Sequence, residues 1–475
     1  MRALSDDTEA LQTRIDLIKN AQNEILIEYF EVAQDKLSII GLGLLEEAAA
    51  RGVKVKIIVD NRYSDLTRAQ FAAIQGSLAA VGRESNFQIK VFNPLTNPFK
   101  LFDQTYRNHD KLFVVDGKFG IIGGRNVSGS YFGRAADGHA DYVDLDVLAY
   151  GSEIRDDKVI GGRTHLSPRN YFLTLWNENP MVRDWSLYEY AAEKINGFCG
   201  LNERAEQCEQ QQAGSRRIVA KARLEMTTLL KSFNDNVGEP MKETYGLTAR
   251  RHTEAKIRTG MYNVDMLFMY NDPKEVMSQI RLKLGIQLSY LLGVQKPRQI
   301  TIVTPYLFPP KGTLDLFAEL KSKYGTKIKI ISNSLNSTDS TLVHAGYELV
   351  KPILLDMQTE IFEFSGPLNV EKQPTLLHAK MMILDEESNS PSILIGSFNL
   401  DYRSAMINRE VGVVISGQQT KSLAKDMLKR VREIEAMSNR ADYSDRLNLS
   451  ATPEKQEQLQ KDKYSPILKF FYEHI

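Results

Sequence analysis

Cysteine is scarce in this chain. Two residues in 475, Cys199 and Cys208, supply neither a disulfide framework nor the paired Cys and His spacing of a zinc site. They lie nine positions apart in one Gly- and Gln-containing segment, which suits a local disulfide in an exported protein; two unrelated free thiols is the other reading. An excess of one charge is also missing: Lys plus Arg and Asp plus Glu are both 60, so no whole-chain field draws the protein to nucleic acid or to an anionic membrane. Any such partner has to be held by a local patch. Long apolar runs are absent too. Stretches such as Leu112 to Val115 and Met381 to Leu384 fall far short of the roughly 20 residues that span a bilayer, so no transmembrane segment is expected. The opening MRALSDDTEALQ has no charged segment followed by an apolar one, so no signal peptide is expected in it. No Gly-rich loop stands between a strand and a helix in the way a nucleotide fold requires, and no cofactor is expected.

What is present is an ordinary globular composition, 42% apolar and 25% charged, at a length that implies two or three packing units. The first and last thirds pass through the same order of elements. Ile25 to Phe30 reads as a buried strand, Leu37 to Arg51 as a helix and Val53 to Asp60 as a strand; Ile300 to Tyr306, Gly312 to Lys323 and Thr326 to Ser332 repeat that order. Each copy continues with a helix, Leu66 to Val81 or Thr338 to Leu355, and a strand, Phe87 to Phe92 or Glu360 to Phe364. Alternating strands and helices predict an α/β fold with two largely parallel sheets meeting at a pseudo-two-fold interface. The expected limits are a first lobe over 1–150, a mainly helical insertion over 151–277, a second lobe over 278–418 and a helical tail over 419–475. The tail carries a helix, Leu423 to Met437, and the aromatic end PILKFFYEHI, which fits a terminal helix docked on the core or a membrane-surface contact.

After its last strand each copy reaches a His-x-Lys tripeptide, His109 and Lys111 in one and His378 and Lys380 in the other. Two positions apart on an extended strand, imidazole and ammonium share one face. Both strands run on apolar, to Asp116 and Asp385, and a following strand ends in Gly123, Gly124 and Asn126 or in Gly396, Ser397 and Asn399. One such tripeptide is a common accident; two with the same sequel are not. The set makes a receptor for a phosphodiester: Lys neutralises a non-bridging oxygen, Asn donates a hydrogen bond, and His is left for proton or phosphoryl transfer. Asp116 and Asp385, about 20 Å beyond each His along an extended strand, read as structural anchors.

This duplicated HxKxxxxD pattern, followed by GGxN or GSxN, resembles the signature of the phospholipase D superfamily. Several further stretches resemble its bacterial cardiolipin synthase branch: Asn399 to Ser404 with Asn408 and Glu410, Tyr131-Phe-Gly, Asp144-Leu-Asp146, Tyr171 to Asn177, Asn333-Ser-Leu335 with Thr338 and Asp339, and Val343 to Tyr347. The segment from Met181 to Thr259 is longer than that branch leads one to expect, and Glu31 lacks the usual tryptophan-containing continuation. The resemblance implies two α/β/α sandwich lobes sharing one active site, and a two-step reaction through a phosphohistidine. It makes His109 the nucleophile and His378 the acid that protonates the leaving alcohol, then the base for the acceptor. No metal is expected, since Lys111, Lys380, Asn126 and Asn399 supply the positive field.

An attacking imidazole needs its other nitrogen held by an acceptor. Superposing the repeats sets Asp144 opposite Glu410 for that task, with Asp146 as the alternative in the first lobe. Tyr306 and Arg403 are expected to line the site; His344 is either a substrate contact or a satisfied core histidine. The partners implied are a phospholipid at a membrane surface and a glycerol-type alcohol or water as acceptor, with no nucleic acid. The implied location is exported, in the periplasm, or peripheral at the membrane. A metal-independent nuclease using the same motifs, and an idle binding protein keeping the fold, are the competing readings.

Overall fold

The structure is a computed structural model that describes residues 1–94, 105–135, 139–185, 205–235, 251–275, 284–368, 373–444, 446–466 and 468. Cys199, the side chain of Cys208 and the aromatic end from 469 onward lie outside the described residues.

Two eight-stranded sheets form the core. The first contains, in chain order, Arg2–Leu4 (β1), Glu24–Tyr29 (β2), Lys54–Asp60 (β3), Phe87–Phe92 (β4), Leu112–Val115 (β5), Phe119–Gly123 (β6), Asp146–Tyr150 (β7) and Val182–Asp184 (β8). The second contains Asp265–Tyr270 (β9), Gln299–Val303 (β10), Lys327–Asn333 (β11), Glu360–Phe364 (β12), Met381–Leu384 (β13), Ser392–Gly396 (β14), Val411–Ser416 (β15) and Ser438–Arg440 (β16). Spatial order is β1-β7-β6-β5-β2-β3-β4-β8 in one and β9-β15-β14-β13-β10-β11-β12-β16 in the other, the same path strand for strand.

Neither sheet is largely parallel. Only β2-β3-β4 and β10-β11-β12 run parallel; every other neighbour is antiparallel. The reason is connection length. The early strands are joined by helices, Lys36–Ala50 and Arg68–Ala79 in the first lobe and Lys311–Tyr324 and Thr341–Asp356 in the second, whereas β5 turns into β6 and β13 into β14 without a helix, which permits only antiparallel pairing. The expected strand from Ile300 stops at Val303, because Pro305 cannot donate to the ladder; Leu307 and Phe308 instead pair with Leu400 and Asp401.

The sheets also reach past the expected limits. Strand β8 and strand β9 both come from the segment read as a mainly helical insertion, and β16 comes from the tail. Three-residue edge strands such as Val182–Asp184 and Ser438–Arg440 carry too few apolar residues to show as a period-two pattern. Among the described residues the insertion does hold helices, Pro168–Glu178, Ala205–Asp235 and the short Glu254–Ile257.

Helices are labelled α1 (Asp7–Asn20), α2 (Lys36–Ala50), α3 (Arg68–Ala79), α4 (Pro168–Glu178), α5 (Ala205–Asp235), α6 (Leu284–Gln295), α7 (Lys311–Tyr324), α8 (Thr341–Asp356), α9 (Thr420–Ala436) and α10 (Pro453–Lys463). Three apolar layers result. One lies between the first sheet and α1, α2 and α3, with Met226 and Phe233 of α5 closing it. Its counterpart lies between the second sheet and α6, α7 and α8. The central layer joins the inner faces of both sheets, through Leu112, Val114 and Ile122 on one side and Met381, Ile393 and Val413 on the other, with α4 and α9 as its flanks. Burying both faces of both sheets explains why their central strands are nearly continuous apolar runs.

Candidate active site

The two His-x-Lys tripeptides meet where the central layer ends. Each crosses to the other lobe through a short parallel ladder. In one, Asn108 pairs with Arg409 and the His109 N–H donates to the Arg409 carbonyl at 3.1 Å. In the other, Leu376 and Leu377 pair with Tyr142 and Val143, and the His378 N–H donates to the Val143 carbonyl at 2.8 Å. The residue after Arg409 is Glu410 and the residue after Val143 is Asp144. The ladders therefore set each carboxylate beside the imidazole of the opposite lobe: His109 Nδ1 lies 3.0 Å from both Glu410 oxygens, and His378 Nδ1 lies 2.7 Å from Asp144 Oδ2. Asp144 and Glu410, paired by superposition of the repeats, thus serve across the lobes. With Nδ1 engaged, Nε2 of each ring is the nitrogen available for chemistry.

Small residues of the motifs make room for the Asp144 carboxylate and for the strand that follows Glu410. A Cβ on Gly124 would fall 2.2 Å from Asp144 Oδ1, and one on Gly396 would fall 2.2 Å from the Val411 carbonyl. Where the first lobe has Gly124 the second has Ser397, and its hydroxyl donates to Glu410, joined by Ser404 Oγ at 2.7 Å.

Both lysines fold back on their own strands. Lys111 Nζ donates to the His109 carbonyl at 2.9 Å and Lys380 Nζ donates to the His378 carbonyl. Lys380 Nζ also stands 2.9 Å from His378 Nδ1; one nitrogen cannot both donate to Asp144 and accept from Lys380, and the shorter contact is the carboxylate's. His109, Lys111, His378, Lys380, Asp144 and Glu410 are all buried. Burial pushes the Glu410 carboxyl up to about 8 and the Asp144 carboxyl up to about 7, opposed by the nearby lysines. It pushes the ammonium of Lys111 down to about 8 and that of Lys380 down to about 7. Each sign of charge is compensated by the other. Both imidazoles are held well below the usual histidine range by burial and by the lysines.

The asparagines flank this centre. Asn126 Nδ2 donates to Tyr131 at 2.8 Å and to Glu31 at 3.1 Å. The buried Oδ1 atoms of Asn126 and Asn399 meet no donor among the described residues; an amide turned about its last bond presents N–H in that place. Aromatic rings wall the imidazoles: Phe30 stands edge-on to His109 at 4.9 Å, while Tyr131 and Tyr142 stand edge-on to His378 at 5.0 and 5.3 Å.

A family model described as cardiolipin synthase, PLD-like domain, matches residues 15–140 and 295–432, more than half of the chain and both tripeptides. The chain belongs to this phospholipase D-like family. Similar proteins include an uncharacterised protein of Helicobacter pylori (strain ATCC 700392 / 26695), 25% identical over 430 residues that cover 86% of this chain and 75% of its own. Cardiolipin synthase C of Escherichia coli (strain K12) is 24% identical over 439 residues, covering 87% of this chain and 81% of its own. The crystal structure of phosphatidylserine synthase from Haemophilus influenzae Rd KW20 matches in fold, with a TM-score of 0.64 at 15% identity over 100% of this chain and 95% of that one.

The other expected residues of this phospholipase D-like chain divide. Asp116 and Asp385 lie at the far ends of their strands, in the left-handed region at φ of 53° and 52°. Asp116 accepts from the backbone of Gln22, Asn23 and Glu24, and Asp385 from Arg298 and Gln299, so they clamp the starts of β2 and β10, the strands that open the parallel set of each lobe. Tyr306 donates to Asp339 at 2.6 Å, and Tyr142 reaches the same carboxylate at 3.3 Å, which ties Tyr306 to the wall of His378. Arg403 donates to the Thr105 carbonyl at 2.9 Å on the side of His109. His344 is not brought to this centre: it is buried in α8, 3.1 Å from Asn448 of the tail and edge-on to Tyr347, a satisfied core histidine. Asp146, the alternative acceptor, is taken by Arg14 at 2.8 Å and Arg125 at 3.1 Å.

The sequence reading assigns no task to four residues beside the imidazole–carboxylate pairs. Glu31, Tyr142, Arg125 and Arg409 have no counterpart of their own type in the other repeat, so the duplication that exposed the tripeptides conceals them. Both arginines are fully buried.

Proposed function

We propose that the chain is a phosphatidyl-transferring phosphodiesterase that works on phospholipid at a membrane surface, cardiolipin synthase-like in its use of an alcohol acceptor. The observation that carries this reading is the pair of buried imidazoles, one from each lobe, each held through Nδ1 by a carboxylate of the other and flanked by two lysines. His109 Nε2 attacks phosphorus, the N–P bond forms as the P–O bond to the head-group alcohol breaks, and His378, its Nε2 protonated once the anionic phosphodiester offsets the lysines, gives that alcohol its proton. His378 then takes the proton of the incoming hydroxyl, whose oxygen bonds to phosphorus as the N–P bond breaks. Glu410 stabilises the charge on His109; Lys111, Lys380, Asn126 and Asn399 attend the non-bridging oxygens. Family membership and the activity named for the Escherichia coli relative support lipid as the substrate, as do the rings of Phe30, Tyr131 and Tyr142 at the centre and the balanced charge of the chain. Among the described residues no helix is long and apolar enough to cross a membrane, and the reading uses none: the lipid is met at the surface, on the exported side if Cys199 and Cys208 are bonded.

The test is product analysis by mass spectrometry after incubation with vesicles of phosphatidylglycerol and phosphatidylethanolamine without added metal. Cardiolipin is the expected product. Phosphatidic acid alone would make the chain a hydrolase, and cleavage of oligonucleotides in place of lipid would overturn the reading in favour of a nuclease.

A further inference from the structure

Behind His109, on the central-layer side of its strand, lies a charged cluster that the reaction above does not use. Asp110 sits between His109 and Lys111 and therefore faces away from them. Tyr171 of α4 donates its hydroxyl to Asp110 Oδ2, and Arg409 Nη2 donates to that hydroxyl at 2.9 Å. Arg409 is also tied to the end of β9, donating to the Asp272 carbonyl at 3.0 Å. Glu28 of β2 adjoins Asp110 and accepts from Asn108 Nδ2 at 3.0 Å. All four side chains are fully buried. Burial pushes both carboxyls up, and Glu28 Oε2 and Asp110 Oδ1 find no donor among the described residues. Arg409 is the cation that faces this pair, its Nε 3.9 Å from Asp110 Oδ2.

This cluster has no equivalent in the other half. The positions matching Asp110, Glu28 and Arg409 are Ala379, Val303 and Val143, all apolar and buried. The His378 ladder therefore has no charged clamp at these positions; its side-chain support is Asn333, which accepts from the Leu377 N–H at 2.9 Å and donates to the Leu377 carbonyl at 2.8 Å. The His109 ladder, with Arg409 N–H on the Arg107 carbonyl at 2.9 Å and His109 N–H on Arg409, is clamped a second time by side chains. Asp110 stands between His109 and Lys111 in the chain and Arg409 precedes Glu410, so the same clamp bears on both partners of the imidazole–carboxylate pair.

We propose that Tyr171, Asp110 and Arg409 form a positioning network that aligns His109 with Glu410 across the lobe interface and makes that half the one that carries the covalent step. The proposal rests on the phosphohistidine reading. It also gives a task to Tyr171, which belongs to a different segment from either tripeptide.

Tyr171→Phe removes one hydroxyl and keeps the ring that packs on Phe268 and Tyr270 at 5.5 and 5.2 Å. The expected result on short-chain phosphatidylglycerol is a fall in kcat of about 10²-fold, the scale of a small misplacement of reacting groups, with KM unchanged. The burst of head-group release slows, and Tyr270→Phe, which removes a hydroxyl from the same aromatic cluster, leaves kcat as it was. In parallel, protein labelled with ¹⁵N-histidine reports the Nδ1–H of each pair by NMR without substrate: in Tyr171→Phe the His109 signal moves or broadens and the His378 signal does not. Should Tyr171→Phe not fold, Asp110→Asn, which keeps the shape and the acceptor for Tyr171, takes its place in both measurements. Wild-type turnover of lipid with an unchanged kcat and an unchanged His109 signal in the variant would overturn the network. Absence of lipid turnover in the wild type would overturn the functional reading instead, and the NMR comparison would still decide the alignment of His109.

Discussion

The two halves of the active site share a backbone and differ in what stands behind it. At His109 the opposing carboxylate is Glu410, steadied by Ser397 and Ser404, and the buried arginine is Arg409, set into the charged cluster with Asp110. At His378 the carboxylate is Asp144, and the buried arginine is Arg125, which donates to the Asp144 carbonyl at 2.9 Å and to Asp146 and Asp7. The position matching Arg125 in the second lobe is Phe398, as Val143 matches Arg409 in the first. Each half thus keeps one fully buried guanidinium by its carboxylate strand, drawn from a different site in the repeat. Duplicated geometry can be retained while its support diverges, because the ladder only requires that each strand be held, and either a charged clamp or apolar packing can hold it.

The strongest way to break the comparison is to remove one imidazole at a time. His109→Ala and His378→Ala are each expected to lower kcat/KM by on the order of 10⁴ to 10⁶, since groups acting as a unit fail together. With ³²P-labelled lipid, however, an acid-labile phosphoenzyme forms only in the protein that keeps His109. Label on His109→Ala would reverse the assignment of the two halves.

Next in size, Glu410→Gln and Asp144→Asn keep the shape of each pair and remove its charge; a fall of about 10⁴ in kcat is the scale for such a change at a histidine's partner. By rapid quench, Glu410→Gln is expected to slow phosphoenzyme formation above all, and Asp144→Asn, whose histidine also serves the acceptor, to slow phosphoenzyme breakdown as well. Equal effects on both steps would mean the halves are not specialised.

The support can be compared by stability. Arg409→Met strands Asp110, fully buried, and loss of one partner from a buried ion pair costs about 3 to 5 kcal/mol, whereas Arg125→Met leaves Asp146 to Arg14 at 2.8 Å. Arg409→Met should melt well below the wild type in calorimetry, and Arg125→Met by less.

The halves also titrate apart. Lys380 is pushed down to about 7 and Lys111 to about 8, burial being the main cause for both, so each loses its charge as pH rises and Lys380 loses it first. Lys380→Arg, whose charge persists, is expected to move the alkaline limb of kcat/KM upward by about one pH unit, to that of Lys111. A limb that stays in place would assign it to another group.

The smallest effect lies outside the site. Burial holds His344 down at about 4 against 6.5 unfolded, so the unfolded chain takes up this proton first. The stability it contributes is whole above pH 6.5 and is lost as pH falls toward 4, on the order of 3 kcal/mol at 1.36 per unit. His344→Asn should flatten urea midpoints over that window and leave turnover unchanged.

Much of this was legible because it occurs twice. The strands from Ile25 and Ile300, the helices after them and both His-x-Lys tripeptides stand at matching offsets, and their apolar runs announce strands buried on both faces. Asp116 and Asp385 could be read as anchors from distance along the strand alone. The edge strands could not, since three residues such as Val182–Asp184 leave no periodic trace. Asp144 and Glu410 were legible as a pair from superposition, but superposition is silent on which imidazole each one serves.

Chain order and residue type by themselves determined the repeat, the chemistry of its tripeptides and the family to which they belong, because these depend on local spacing and on what each side chain can donate or accept. Only the tertiary structure decided that the carboxylates cross between lobes, that His344 belongs to the core, and that Asp110, Tyr171 and Arg409 meet behind His109. Those contacts join positions as far apart as 110 and 409, and the energy of a buried charge depends on which distant partner folding brings to it.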